Sequence, residues 1–167
     1  MMMKNETPKN GPRTEYHKNG QKLTEENYKD GKLNGKWTWW YENGQISNEG
    51  NYKDGKRDGK QTDYYKNGQI REERNFKNNR IHTNWTWWRE DGTKHSEMYY
   101  KDGMERLKWT WWYENGQKEA EHHFKGFDYG TRDGRSTNWD ENGQIEAVAI
   151  FKDDECISGD YDYFKDL

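Results

Sequence analysis

The stretch Trp37-Thr38-Trp39-Trp40-Tyr41-Glu42-Asn43-Gly44-Gln45-Ile46, with Asn51-Tyr52-Lys53-Asp54-Gly55-Lys56 and Gly59 behind it, decides the fold. Trp, Tyr and Thr favour a pleated, half-buried surface. Asn-Gly and Asp-Gly tolerate the positive φ of tight turns and, between such residues, signal hairpins. The pattern predicts a strand over Lys36–Glu42, a turn at Asn43-Gly44, and a second strand over Gln45–Lys53. The chain then turns again, either near Asp54-Gly55 or through the longer Asp54–Gly59 segment.

The stretch is one copy of a repeat. Lys18-Asn19-Gly20 recurs as Glu42-Asn43-Gly44, Lys66-Asn67-Gly68, Glu90-Asp91-Gly92, Glu114-Asn115-Gly116 and Glu141-Asn142-Gly143, with glycines spaced 24, 24, 24, 24 and 27. One aromatic column, Tyr16, Trp40, Tyr64, Trp88, Trp112 and Trp139, is complete in all six copies, as is a second, Tyr28, Tyr52, Phe76, Tyr100, Phe124 and Phe151. Both are expected to be structural. Six copies predict an all-β chain of roughly twelve short antiparallel strands in a single-layer meander. Glycines fall too often for helix, and no apolar stripe of helical period appears.

Turn type sets which side chains share a face. A two-residue turn at Asn43-Gly44 places Trp37, Trp39, Tyr41, Ile46 and Tyr52 together and Trp40 opposite. A three-residue loop with a bulge at Gly44 instead places Trp40 with Ile46 and Tyr52. The second arrangement gathers both complete aromatic columns on one side and is the preferred expectation.

Composition bounds the rest. The 167 residues are 28% hydrophobic, 16% aromatic and 35% charged, with mean hydropathy -1.70 and net charge -3. Leu, Ile, Val and Phe number only 16, which excludes an ordinary aliphatic core and leaves a thin structure held by aromatic contacts. The longest apolar run, Ala147–Phe151, is far too short to cross a bilayer. The start of the chain has no apolar h-region, and Cys156 is alone, so the cytoplasm is the expected location. Near-balance of charge gives no bulk attraction to nucleic acid or anionic lipid.

Residues 1–13 read as a flexible tail, 14–157 as the repeat array and 158–167 as an acidic, aromatic tail or cap. An insertion within Gly126–Gly130 is expected to bend the array. The aliphatic strand around Glu146–Phe151 reads as a capping end, the competing reading being a homodimer through that sheet edge.

These motifs resemble the variant MORN repeat, and the resemblance runs from residue 14 to about residue 157. It implies repeated hairpins in one twisted antiparallel sheet and defines no catalytic residues. Bacterial members of the variant group are often described as antitoxins of toxin–antitoxin systems; eukaryotic MORN proteins are associated with scaffolding and membrane or phosphoinositide contact. The third copy departs most, with Gln61 and Asp63 where others have Trp, and Arg80–Asn84 lacks the usual glycines.

Trp37, Trp39, Trp85, Trp87, Trp109 and Trp111 occupy columns that are tryptophan in only three of six copies, so they are freer to serve binding than a column every copy needs. With Tyr41 and Tyr113 they form the expected partner-binding set, because Trp and Tyr dominate interface hot spots. Glu25, Glu49, Glu73, Glu97 and Glu121 recur two strands apart, about 10 Å, too far to share a proton or chelate one ion. His122 and His123 point to opposite faces. No catalytic grouping, metal site or cofactor is expected. The leading expectation is a non-catalytic protein-binding module, most concretely an antitoxin or immunity-type protein covering a toxin with its aromatic face. The alternatives are carbohydrate or cell-wall binding, which Trp-Tyr-Asn-Gly repeats also serve, and a membrane-associated scaffold.

Overall fold

The computed structural model describes residues 9–101, 105–126 and 130–165. Its strands are β1 (Gly11–Tyr16), β2 (Lys22–Lys29), β3 (Lys32–Leu33), β4 (Gly35–Trp40), β5 (Ile46–Lys53), β6 (Lys56–Arg57), β7 (Gly59–Tyr64), β8 (Ile70–Lys77), β9 (Arg80–Trp88), β10 (Lys94–Lys101), β11 (Glu105–Trp112), β12 (Lys118–Lys125), β13 (Thr131–Trp139), β14 (Ile145–Lys152) and β15 (Glu155–Gly159). A four-residue helix, α1 (Tyr161–Phe164), follows. The fifteen strands form one antiparallel sheet in chain order, with β3 beside β2 and β6 beside β5. The tandem hairpins read from the spacing are therefore present. Three strands beyond twelve arise because Asn34 and Asp58 each interrupt one strand and because β15 adds an end strand. Most of the expected flexible tail, residues 1–8, lies outside the described residues, whereas residues 11–13 belong to β1. The inserted residues 127–129 also lie outside them.

The Asn-Gly turns are three-residue loops. Tyr41 N–H donates to the Gln45 carbonyl and Gly44 N–H to the Tyr41 carbonyl, at 2.8 and 2.9 Å, with Gly44 at φ 82°. That conformation suits glycine, and a Cβ on Gly44 would also stand 2.7 Å from Gln21 Oε1 of the preceding copy. The opposite turns are two-residue turns of the I′ kind, both residues at positive φ: Asp30-Gly31, Asp54-Gly55, Asn78-Asn79 and Asp153-Asp154. The shorter of the two readings at Asp54 is the one adopted.

One expectation about faces is overturned. Trp40 does pair with Ile46, as a three-residue loop requires, but the register then slips, so that Trp39 pairs with Asn48, Trp37 with Gly50 and Gly35 with Tyr52. Ser47 is an extra residue, and it returns Tyr52 to the face of Trp37 and Trp39. The same slip occurs in every copy, at Leu23, Ser47, Arg71, His95, Glu119 and Glu146. The two complete aromatic columns therefore lie on opposite faces.

The chain divides into two compact units, Met1–Arg80 and Ile81–Leu167. In each, the turns are tied from copy to copy by side chains. In the first, Asn19 and Asn43 donate to the carbonyls of Glu42 and Lys66, His17 Nε2 bonds the Trp40 carbonyl, and Tyr41 Oη donates to the Tyr64 carbonyl at 2.6 Å. In the second, Arg89 and Tyr113 reach the carbonyls of Trp112 and Trp139, and Asn115 that of Glu141. Along the other edge, Asn10, Asn34, Asn79 and Asp154 accept from the backbone N–H of Asp30, Asp54, Arg57 and Arg132.

The second unit ends in a small apolar core. Phe164 of α1 is fully buried with Ala147, Ala149 and Phe151, and its ring stands 6.0 Å from Phe151 and 5.8 Å from His122. Arg132 donates to the Phe164 carbonyl at 3.0 Å, and Asp160 bonds Val148 through both its N–H and its carboxylate. The last copy carries Ser136 and Asn138 where three others carry tryptophan, and Phe164 supplies the ring those positions lack. Replacing Phe164 by Ala should remove about 2 kcal/mol of burial. Hydrogen exchange should then speed up at Val148 and Asp160 while β1–β8 keep their protection.

Candidate protein-binding face

Within each unit, the slip at each second strand sorts the side chains into two surfaces. One is a threonine face. Thr14, Thr38, Thr62, Thr86, Thr110 and Thr137 recur in all six copies, a complete column that reasoning from aromatic residues passes over. Within the units they alternate across strands with Glu25, Glu49, Glu73, Glu97 and Glu121. Thr86 Oγ1 donates to Glu97 at 3.0 Å, and Lys36 pairs with Glu49 at 2.7 Å. The Tyr16 column lies here too. Lys22, Lys94 and Lys118 stand over the rings of Trp40, Trp112 and Trp139 in the next copy, at 5.4, 4.7 and 5.5 Å. Each glutamate of the column is paired with a lysine: Glu25 with Lys22, Glu49 with Lys36, Glu73 with Lys60, Glu97 with Lys94, and Glu121 with Lys108 and Lys118.

A shallow recess on this face, lined by Lys36, Glu49, Lys60, Thr62, Tyr64 and Glu73, shows the electrostatics. The Lys36 ammonium bonded to Glu49 holds that carboxyl below the usual carboxylate range, and the Tyr64 hydroxyl donates to it at 2.9 Å. Burial, reinforced by Glu49, pushes Tyr64 up to about 12.

The other surface of each unit is a tryptophan face, which holds Trp37 and Trp39 with Tyr28, Tyr52 and Phe76 in the first unit, and Trp85, Trp87, Trp109 and Trp111 with Tyr100, Phe124 and Phe151 in the second. Trp37 is 8% exposed and its indole lies over Gly50, where a Cβ would come within 2.9 Å of Nε1. It packs edge-on against Trp39 at 6.2 Å and Tyr52 at 5.9 Å. Trp39 is 43% exposed. In the second unit Trp85 stacks on Trp87 and Trp109 on Trp111, each pair with centroids 4.3 Å apart and all four half-buried. Tyr41 and Tyr113 sit at the turns, not among these rings, and their hydroxyls serve the ties between copies. Sequence reasoning missed Phe164, which enters this face from outside the repeat, and the ion pairs of the third copy, where Arg74 bonds Asp63 and lies 3.3 Å from Glu72.

His122 is also on this face, beside Trp111 at 5.2 Å and hydrogen-bonded to Asn138. Burial pushes its pKa below the usual histidine value. Among the described residues no group of three His, Cys, Asp or Glu side chains could hold a metal ion, and no helix is long and apolar enough to cross a membrane.

These shifts set the pH dependence. Glu49 is held down in the folded state, so its contribution is present above the ordinary carboxylate value and is lost as pH falls through its folded value. Tyr64 is held up, so its contribution is present below the ordinary tyrosine value of 10.0 and is lost as pH rises towards about 12. Urea midpoints of wild type and Tyr64→Phe across pH 5–12 should show a shallower alkaline fall in the variant.

Comparison with known families agrees with this architecture. A family model described as MORN repeat variant matches residues 9–30, 33–54, 57–78, 107–125 and 132–153. No curated protein matches the chain. The gap between the third and fourth matches holds the copy in which Thr83 stands in the Gly35 and Gly59 column and the strand runs uninterrupted. With more than half of its residues matched, and with hairpin after hairpin built on the same turns, the chain belongs to the MORN repeat variant family.

Proposed function

We propose that the chain is a non-catalytic, cytoplasmic protein-binding module that docks a partner on its tryptophan face, in the manner of an antitoxin or immunity-type protein covering a toxin. The observation that carries this reading is the surface of the second unit. Trp85, Trp87, Trp109 and Trp111 form two half-buried stacks, and the residues paired with them, Ser96, Met98, Ala120 and His122, carry no charge at neutral pH. Burial keeps the one titratable member, His122, neutral. Rigid rings on a sheet lose little freedom on docking and supply contact area, polar tips included, which is how aromatic hot spots act. The threonine face offers the opposite chemistry, a charged surface whose glutamate column is already paired with lysines.

Affinity capture from the source cell tests the reading. Wild type should retain a specific partner, and the variant Trp85→Ala, Trp87→Ala, Trp109→Ala, Trp111→Ala should lose it with the β-type circular dichroism unchanged. If that variant unfolds, the two pairs are exchanged separately. Retention of the partner by folded variants lacking both pairs in turn would overturn the docking face. The antitoxin reading is tested by co-expression with a small toxic reading frame from the neighbouring gene, which should restore growth and yield a complex.

A further inference from the structure

Two rows of the second unit's tryptophan face run from large rings to small side chains. One reads Trp109, His122, Ser136 and Ala149 on successive strands, the other Trp111, Ala120, Asn138 and Ala147. Ser136 and Asn138 stand in the two columns that hold stacked tryptophans in the fourth and fifth copies. The sheet therefore has a low floor where its neighbours carry two rings. The helix α1 supplies both from outside the repeat. Phe164 is fully buried over the first row, clustered with Ala149 and edge-on to His122. Tyr163, its ring 5.3 Å from that of Phe164, brings its hydroxyl to Asn138 of the second row and to Glu146.

The way α1 is held favours exchange. Its four residues make one turn, too short to persist alone. No side chain caps its N-terminus, the Asp160 carboxylate being bonded to the Val148 N–H. Tyr161 and Tyr163 are about half exposed, so Phe164 is the anchor. The closed arrangement also carries a defect. Ser136, between His122 and Ala149 and beneath Phe164, is fully buried, and its Oγ has no hydrogen-bond partner. A hydroxyl left unmatched works against the state that buries it. With α1 lifted, the floor is a socket continuous with the Trp109–Trp111 stack, since His122 stands 5.2 Å from Trp111. Arg132, which donates to the Phe164 carbonyl at 3.0 Å, can serve any main chain laid along the same line.

We propose that α1 is a displaceable stand-in for the partner. The socket over β12, β13 and β14 receives two consecutive aromatic side chains of a protein segment, and Tyr163-Phe164 holds it closed until that segment arrives. The inference rests on the proposed docking of a partner on the second unit's tryptophan face and adds the element that is recognised there. The occupant is defined by what the socket already holds: two rings at the spacing of adjacent residues, with a main-chain carbonyl for Arg132. An aromatic anchor in a desolvated pocket, bordered by further rings, is how interface hot spots are built. Closure by α1 lowers the apparent affinity by the fraction of molecules that are open, so weak aromatic ligands are refused.

The test uses the full chain, uniformly 15N-labelled, and an unlabelled acetylated peptide with the sequence of Ser158–Lys165. A counterpart peptide carries Tyr163→Ala and Phe164→Ala. In the chain variant Phe164→Ala the socket is open. There the Trp111 indole N–H signal, assigned by its loss in Trp111→Phe, should shift and saturate with the peptide and ignore the counterpart. Wild type should bind the peptide at least about tenfold more weakly, as a socket closed in more than about nine molecules in ten requires. At saturation its Tyr161–Phe164 amide signals should move to random-coil positions. The partner captured by wild type should bind Phe164→Ala at least about tenfold more tightly. Backbone amide spectra establish that the sheet is intact. If Phe164→Ala loses it, Asp160→Ala, which releases the Val148 N–H and keeps both rings, should give a smaller change in the same direction. No peptide binding by the opened chain, α1 amides unmoved under saturating peptide, or a partner held no more tightly by the opened chain would overturn the stand-in. A partner held equally by Phe164→Ala and wild type, yet lost with the four substitutions at Trp85, Trp87, Trp109 and Trp111, defeats this inference alone. One that survives those four defeats the docking reading as well.

Discussion

Side-chain parity in this sheet is governed by one extra residue in the second strand of every hairpin. Ser47, opposite the step from Trp39 to Trp40, lets the strand gain a residue without losing its ladder, and the parity of everything downstream reverses. Without it, Tyr52 would join Trp40, and neither face would have a consistent chemistry. With it, threonine and glutamate alternate across one side of each unit, while the indoles and the rings of the Tyr28–Phe151 column share the other. A thin sheet with little aliphatic content has no second layer to correct a misplaced side chain, so the position of this bulge matters more here than it would in a sandwich.

Cohesion and variation are divided between different parts of each copy. The edges carry the ties: asparagine, tyrosine, histidine and arginine side chains at the turns bond carbonyls of the next copy, and these roles persist while the residue types change. The tryptophan face, freed from that task, varies widely. Two of its positions hold Arg13 and Glu15, then Trp37 and Trp39, then Gln61 and Asp63, within one unit. Each set packs by its own means: a ring laid over Gly50 in one copy, an ion pair between Arg74 and Asp63 in the next. Phe164 is the extreme case, a ring delivered to Ala147 and Ala149 by a helix from outside the repeat.

How far the sequence could be read follows from where the information lies. The hairpins were legible because positive φ demands Gly, Asn or Asp, and those letters recur at a fixed period. The three-residue loop was preferred because it would gather both complete aromatic columns on one side; the loop is present, but that ground for it failed. The bulge was not, since Leu23, Ser47, Arg71, His95, Glu119 and Glu146 share no chemistry: an extra residue in a strand needs no particular side chain. The threonine column was in plain view but is not aromatic, and Phe164 belongs to a tail with no counterpart to compare. The tryptophan columns share their face with the complete Tyr28–Phe151 column, and their burial runs from 8% at Trp37, opposite Gly50, to 43% at Trp39, opposite Asn48.

The same asparagines that make the turns also give the molecule a chemical clock. In an Asn-Gly pair the glycine nitrogen can attack the side-chain amide, expel ammonia through a cyclic imide, and leave aspartate or its isomer, one reason asparagine is counted among the thermolabile residues. In the folded array that nitrogen is held: Gly44 N–H is bonded to the Tyr41 carbonyl and Asn43 Oδ1 to Gln45 N–H. Once converted, position 43 would present only oxygen to the Lys66 carbonyl it now holds by an N–H, so the damage would fall on cohesion between neighbouring hairpins and leave the tryptophan and threonine faces chemically untouched. The fourth copy already carries the acid at this place, where Asp91 accepts from Thr93. Ageing of the protein would thus be written as slow fraying along one rim.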